Sequence, residues 1–184
     1  MLKKLAIFFP VLLLLSFYTN DQLPEYKVNT GSIAFRSDAS LELIKAMSNE
    51  LKGIIIPEKK QFAFRVSVKS FKGFNSPLQQ EHFNENYLES NKYPAASFEG
   101  KIIEDIDFTK DGVYPIRTKG NLTIHGVVQE RIIKTELTIK NSNMSIKSNF
   151  TVLLADHNIP IPKVVHENLA SEIKVEVKAD LVIK

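Results

Sequence analysis

Four histidines, His82, His125, His157 and His166, together with Asp156, are the residues in this 184-residue chain with the chemistry to hold a metal. Zinc sites on a single element use spacings such as His-x-x-x-His, which bring two imidazoles to one face. No pair here has that spacing, and the closest, His157 and His166, straddles a proline-containing loop. Solvated loop histidines are expected, with Asp156, His157 and His166 as the trio a metal-dependent enzyme would use. Nucleophilic chemistry has less to work with, since the chain has no cysteine and no Gly-x-Ser-x-Gly elbow. Glu104, Asp105 and Asp107 cluster near a turn, but adjacency on a surface loop does not make a positioned acid and base. The glycines are scattered, and Gly120 to Gly126 follows a strand without opening a helix, so no phosphate cradle is expected. Asn121-Leu122-Thr123 and Asn149-Phe150-Thr151 match the glycosylation triplet but fall inside predicted strands, where a glycan is hard to fit. The expectation is a protein that is not an enzyme and carries no cofactor and no metal.

The elements that would position these residues are mostly strands. Alternation of apolar and polar side chains marks a half-buried strand. It runs through Phe62, Phe64, Val66 and Val68, again through Met144, Ile146, Phe150, Val152 and Leu154, and again from Ile173 to Ile183. Two long strands, from about Val113 to Ile124 and Val127 to Ile139, flank His125-Gly126, which reads as the tight turn of an antiparallel pair. Further strands are predicted near Glu25–Thr30, Ser32–Arg36, Gly53–Ile56 and Ala96–Ile106. Leu78 to Asn91 carries a short amphipathic helical pattern that ends before Tyr93-Pro94. Ser40 to Leu51 reads as a second short helix through Leu41, Ile44, Met47 and Leu51, although Leu41 and Leu43 also alternate. Many long strands with one apolar face predict a sandwich or a closed barrel. Length favours the barrel, because ~11 residues at a tilt near 40° give a wall of roughly 27 Å. The fold class expected is all-β, an extended antiparallel barrel of about eight strands with one or two short helices.

The ends and composition set the context. Lys3 and Lys4 precede an apolar run from Leu5 to Phe17, and Thr19, Asn20 and Asp21 follow it, which is the profile of a signal peptide. The run is shorter than the roughly 20 residues of a membrane span and is interrupted by Pro10. Residues 1–20 are therefore expected to be a leader, cleaved anywhere from about residue 16 to 22, and residues 21–184 a single domain. Without Lys3 and Lys4 the cations fall from 24 to 22 against 21 acids, a net charge of +1. The remaining charges alternate in sign, as in Glu172, Lys174, Glu176, Lys178 and Asp180, which is not the concentrated basic face of a nucleic-acid binder. With no disulfide available, packing and strand pairing alone must hold the exported domain.

Two segments then bear a family resemblance. Glu81-His82-Phe83-Asn84-Glu85-Asn86-Tyr87-Leu88, followed by Lys92-Tyr93-Pro94-Ala95-Ala96-Ser97-Phe98, resembles the helix and strand entry of YceI-like proteins. Gly120-Asn121-Leu122-Thr123-Ile124-His125-Gly126-Val127 resembles that family's G-x-LTI-x-GV strand and turn, in the expected order. The resemblance spans most of Tyr26 to Ile183. It implies a lipocalin-like barrel in the periplasm, with a lumen that in some members holds polyisoprenoid or another amphiphilic lipid. Where many members carry an Arg-Asp-Phe-Gly-like stretch, this chain has Leu154-Ala155-Asp156-His157-Asn158-Ile159 and then Pro160-Ile161-Pro162, so a headgroup contact made there in relatives is not carried over.

On this reading the chain is a binding or carrier protein for a long apolar or amphiphilic molecule, isoprenoid-like or fatty-acid-like. The expected lumen residues are Phe62, Phe64, Val66, Phe98, Tyr114, Ile116, Leu122, Ile124, Met144, Ile146, Phe150, Val175 and Val177. The segments Leu78–Asn91 and Asp156–Asn168 would gate the mouth, with Lys163 meeting a polar head. The expected partner is a long-chain lipid or isoprenoid ligand, with no nucleic acid, no stable membrane span after export, and room for a homodimer. The same alternation suits a solid-core barrel, filled by its own 12 phenylalanines, that binds a protein partner through an exposed patch near Leu153 and Val182.

Overall fold

Nine strands carry the fold in the computed structural model, which describes residues 23–165 and 167–184. The expected leader, residues 1–20, and His166 lie outside the described residues. In chain order the strands are β1 (Tyr26–Asp38), β2 (Leu43–Ser48), β3 (Lys52–Ile56), β4 (Gln61–Ser67), β5 (Ala95–Ile102), β6 (Gly112–Ile124), β7 (Val127–Lys140), β8 (Asn143–Leu153) and β9 (Glu172–Ile183). Among the described residues a single short α-helix, α1 (Pro77–His82), runs directly into a π-helical turn at Phe83–Tyr87. The Ser76 hydroxyl caps α1 by accepting from the Gln79 N–H, and Pro77 occupies the first turn, where its missing N–H costs nothing. Among the described residues no helix is long and apolar enough to cross a membrane.

Every neighbouring pair from β3 through β9 is antiparallel, and β9 returns to pair with β1 along almost its whole length. The other edge of β1 is divided: Tyr26 and Lys27 pair with β3, whereas Ile33 to Asp38 pair with β2. Eight strands therefore close a barrel and β2 is an additional strand laid beside the upper half of β1. The two short strands expected at Glu25–Thr30 and Ser32–Arg36 are one continuous β1. A bulge at Asn29, where the register moves from Val28 opposite Leu181 to Thr30 opposite Asp180, bends it as the barrel requires.

The helix expected over Ser40 to Leu51 is instead the strand β2. Leu43, Lys45 and Met47 stand outward while Ile44, Ala46 and Ser48 turn inward, so the period of two prevails over the helical spacing. The physical reason is tertiary: six residues of β1 supply backbone partners to this segment, which a lone helix would forgo. The strand expected to reach Ile106 ends at Ile102.

Turn chemistry agrees with the sequence at His125-Gly126, a two-residue hairpin with φ of +51° and +72° that matches the twist of β6 and β7. A Cβ on Gly126 would lie 2.4 Å from the Tyr93 ring, so both the backbone angle and the contact call for glycine. Gly100 and Gly120 face each other across β5 and β6, and a Cβ on either would sit 2.1 Å from a backbone carbonyl of the other strand. The wall is tightest there.

Candidate ligand-binding lumen

The inward positions of the strands line a cavity of about 420 Å³ inside the barrel. Its walls are almost wholly hydrocarbon, within the volume range of small-molecule sites. Along β8 the lining runs from Ile146 to Val152, about 20 Å of strand, or roughly 15 Å along the axis after tilt. Below it Tyr26, Phe108, Leu137, Ile139, Met144 and Leu181 pack as a closed floor. Burial there raises the Tyr26 phenol above its ordinary value. The barrel is thus solid at one end and hollow at the other.

Of the residues expected to line a lumen, Phe62, Phe64, Val66, Phe98, Ile116, Leu122, Ile124, Ile146, Phe150, Val175 and Val177 do face the cavity. Met144 belongs to the floor. Tyr114 packs against the same core with its hydroxyl donating to the Lys110 carbonyl at 3.0 Å, near the closed end. Two aromatic groups divide the interior. Phe62 and Phe98 meet at 4.9 Å on one wall, with Phe64 beside them. At the mouth Phe35 stacks on Phe83 at 5.3 Å and 13°, and Phe71 and Phe74 close around the pair. The lining from β6 to β8 carries hydroxyls: Thr118 donates to the Ile133 carbonyl at 2.9 Å and Ser148 to that of Lys134 at 2.7 Å, with Thr135 beside Ser148. Their protons are committed to the wall, so only lone pairs face the cavity.

Residues of both segments expected to gate the mouth lie along its edge. Leu78, Phe83, Tyr87 and Leu88 line it from one side, and Leu154, Ile159, Val165, Asn168 and Leu169 from the other. Leu154, Ile159 and Ile173 form a second small core under this loop, packed against Tyr87 and Leu88. Glu42, on the turn between β1 and β2, ties these pieces together. Its carboxylate accepts from Gln79 Nε2 at 2.8 Å and Asn168 Nδ2 at 3.3 Å, and it lies 3.5 Å from Asn75 Nδ2. Sequence reasoning missed Glu42 and the mouth phenylalanines Phe35, Phe71 and Phe74, because nothing in their spacing shows that distant loops converge. The inward hydroxyls were legible in principle, since Thr118 and Ser148 share the period of their apolar neighbours.

Two of the histidines depart from expectation. His82 is exposed, but His157 is fully buried and His125 nearly so. His157 Nδ1 donates to the Val127 carbonyl at 3.2 Å, while Nε2 is buried without a hydrogen-bond partner. Burial holds this imidazole below its ordinary value, in the neutral form. The ring nitrogens of His125 face the His157 carbonyl at 3.1 Å and Glu89 Oε2 at 2.6 Å, with Tyr93 edge-on to the ring. These two residues therefore brace the β6–β7 turn against the mouth loop rather than sit in solvent. Among the described residues no group of three histidines and carboxylates could hold a metal ion.

The carboxylates near residue 105 lie at the closed end and are each occupied. Glu104 accepts from the Arg117 backbone N–H at 2.6 Å and its Nε at 2.7 Å, which together hold its carboxyl below the usual range. Asp105 pairs with Lys60. Asp107 accepts from the Thr109 hydroxyl and backbone N–H and pairs with Lys110, which brings its pKa down to about 2. Glu104 and Asp107, held ionised in this way, brace a turn and are poor general acids.

A family model described as the YceI-like domain matches residues 27–182. The chain belongs to the YceI-like family. Solved structures agree on the fold. A polyisoprenoid binding domain from Saccharophagus degradans implicated in plant cell wall breakdown superposes with a TM-score of 0.70 at 12% identity, over 86% of this chain and 98% of that one. Burkholderia cenocepacia BcnA gives 0.67 at 12% identity, over 82% and 95%. The Campylobacter jejuni YCEI protein gives 0.57 at 15% identity, over 72% and 81%. No curated protein matches in sequence. In YceI-like terms the cavity lies inside the family's closed eight-stranded antiparallel barrel, to which β2 is added.

Proposed function

We propose that this YceI-like barrel sequesters or carries a long apolar or amphiphilic molecule, isoprenoid-like or fatty-acid-like, in its lumen, in the periplasm after export and without covalent chemistry. The observation that carries the reading is the cavity: about 420 Å³, apolar-walled, floored at one end and framed by loops at the other. Its length favours a thin tail over a compact solute. The driving force is hydrophobic, about 0.8 kcal/mol per buried methylene, so a dozen methylenes contribute about 10 kcal/mol before the entropy of capture is deducted. The wall hydroxyls at Thr118, Thr135 and Ser148 give a ligand's polar group a place to donate. The likeness to a polyisoprenoid binding domain supports the same class of ligand. The leader-like start of the sequence supports export. The test is native mass spectrometry of the exported protein purified without detergent, followed by organic extraction. A long-chain lipid near one per chain is expected. Protein that stays bare after incubation with isoprenoid and fatty-acid mixtures would overturn the reading.

A further inference from the structure

Four large apolar side chains stand exposed around the mouth of the lumen. They are Leu41 at 69% exposure, Leu43 at 48%, Leu78 at 57% and Val164 at 88%. They come from three separate segments: the β1–β2 turn with the start of β2, the helix α1, and the 3-10 turn Lys163–Val165. Hydrogen bonds show that these segments meet. The Leu41 N–H donates to the Glu167 carbonyl at 2.9 Å, Asn75 Nδ2 to the Leu43 carbonyl at 3.0 Å, and Gln79 Nε2 to Glu42 at 2.8 Å. Single exposed apolar side chains are ordinary, whereas a contiguous group around a mouth is not. The group is also continuous with the lumen, since Leu78 itself lines it, as do Ile44 and Val165, the neighbours of Leu43 and Val164.

We propose that this rim docks on the surface of a lipid bilayer containing anionic phospholipid, so that the lumen opens against the membrane and its ligand passes between them without crossing water. The inference rests on the lumen holding an apolar ligand. A bilayer is the phase in which such a ligand dissolves, and an apolar ring on the mouth is what a transfer path through hydrocarbon needs. Cations flank the apolar face, and the carboxylate within it, Glu42, is engaged by Gln79 and Asn168. Lys45 stands between Leu43 and Met47 on the outer face of β2, and Lys72 is joined to Met47 through paired backbone bonds at 2.8 and 2.9 Å. Cations beside an apolar face suit an anionic lipid surface. A rim-to-rim pair of copies would instead seal both mouths and set the same lysines against each other across a twofold axis.

The test is flotation of the purified full chain with vesicles of phosphatidylethanolamine and phosphatidylglycerol. The double substitution Leu41→Glu with Val164→Glu changes the rim without touching a lumen-lining residue. Val113→Glu places a single glutamate on an exposed valine at the closed end. The wild type and Val113→Glu should float together, and the double variant should lose at least tenfold in bound fraction. Its circular dichroism and the lipid extracted from its lumen should stay as in the wild type, which separates loss of docking from loss of the ligand site. A wild-type chain that carries lipid yet does not float overturns the rim and leaves the lumen standing. So does a double variant that floats undiminished, or a dimer in sedimentation that the same substitutions dissolve. Rim-dependent flotation of a chain that never yields a lipid keeps the docking surface and removes the cargo.

Discussion

Replacing Val177 by phenylalanine separates a working lumen from a merely imperfect core. Val177 lies midway along β9, between Ser148 on β8 and Ile33 on β1, and its half-buried side chain faces the cavity. Phenylalanine suits a strand as well as valine does, and its four additional carbons project into cavity space rather than into packed neighbours. They exclude about four methylenes of a bound chain, which at about 0.8 kcal/mol each costs about 3 kcal/mol, or roughly a hundredfold in affinity. Displacement of a fluorescent long-chain fatty acid would measure the loss, and urea denaturation of the same sample would measure stability. The expected pattern is weak binding by a barrel as stable as the wild type. A core already packed at this position would respond the other way, losing about 1–3 kcal/mol of stability to overpacking while binding stayed unchanged. That result would refute the reasoning.

Other perturbations probe the frame. Gly120→Ala should destabilise the barrel by about 2–3 kcal/mol, read as a lower urea midpoint, because its Cβ would lie 2.1 Å from the Glu99 carbonyl with only backbone to move. Glu42→Ala removes the acceptor shared by Gln79 and Asn168, and release of a bound fluorescent lipid in stopped flow should quicken several-fold without loss of fold. His157 makes stability depend on pH. Its folded value is depressed below 6.5, so beneath pH 6.5 the unfolded chain binds a proton that the folded chain refuses. Stability is then lost by up to about 1.4 kcal/mol per pH unit until the folded-state value is passed. His157→Asn keeps a donor for Val127 and removes the titration, so its denaturation midpoint should change less than the wild type's between about pH 7.5 and 5.5.

The barrel was legible because its signal is repeated. Strands such as β4 and β9 state their inward faces in strict alternation, and His125-Gly126 names its own turn. The helix wrongly expected at Ser40–Leu51 shows where such reading stops. Leu41, Ile44, Met47 and Leu51 satisfy a helical period, and only the backbone partners waiting on β1, which the segment itself does not encode, decide for a strand. The inward faces of the strands were legible because inward is inward whether or not space lies beyond the side chain. Volume is what alternation leaves out: Met144 and Ile146 share a face, yet one seals the floor and the other borders the cavity. Glu42 and His157 were beyond reach for a further reason. The role of each is set by groups 30 or more residues away, Gln79 and Asn168 for the first and Val127 for the second.

The pairing of β1 with β9 also sets a timetable. The barrel's seam joins residues 150 positions apart, as at the bond from Thr30 to Asp180. Hairpins such as β6–β7 and β7–β8 form from neighbours, but this joint has to wait for the far end of the domain. Loop closure on that scale slows folding. Until the seam forms, the chain is an open, curling sheet with two unsatisfied edges and its greasy face uncovered. Enclosure thus depends on the last strand of the domain, and a molecule destined for the interior meets either an unfinished sheet or a completed vessel entered at its mouth.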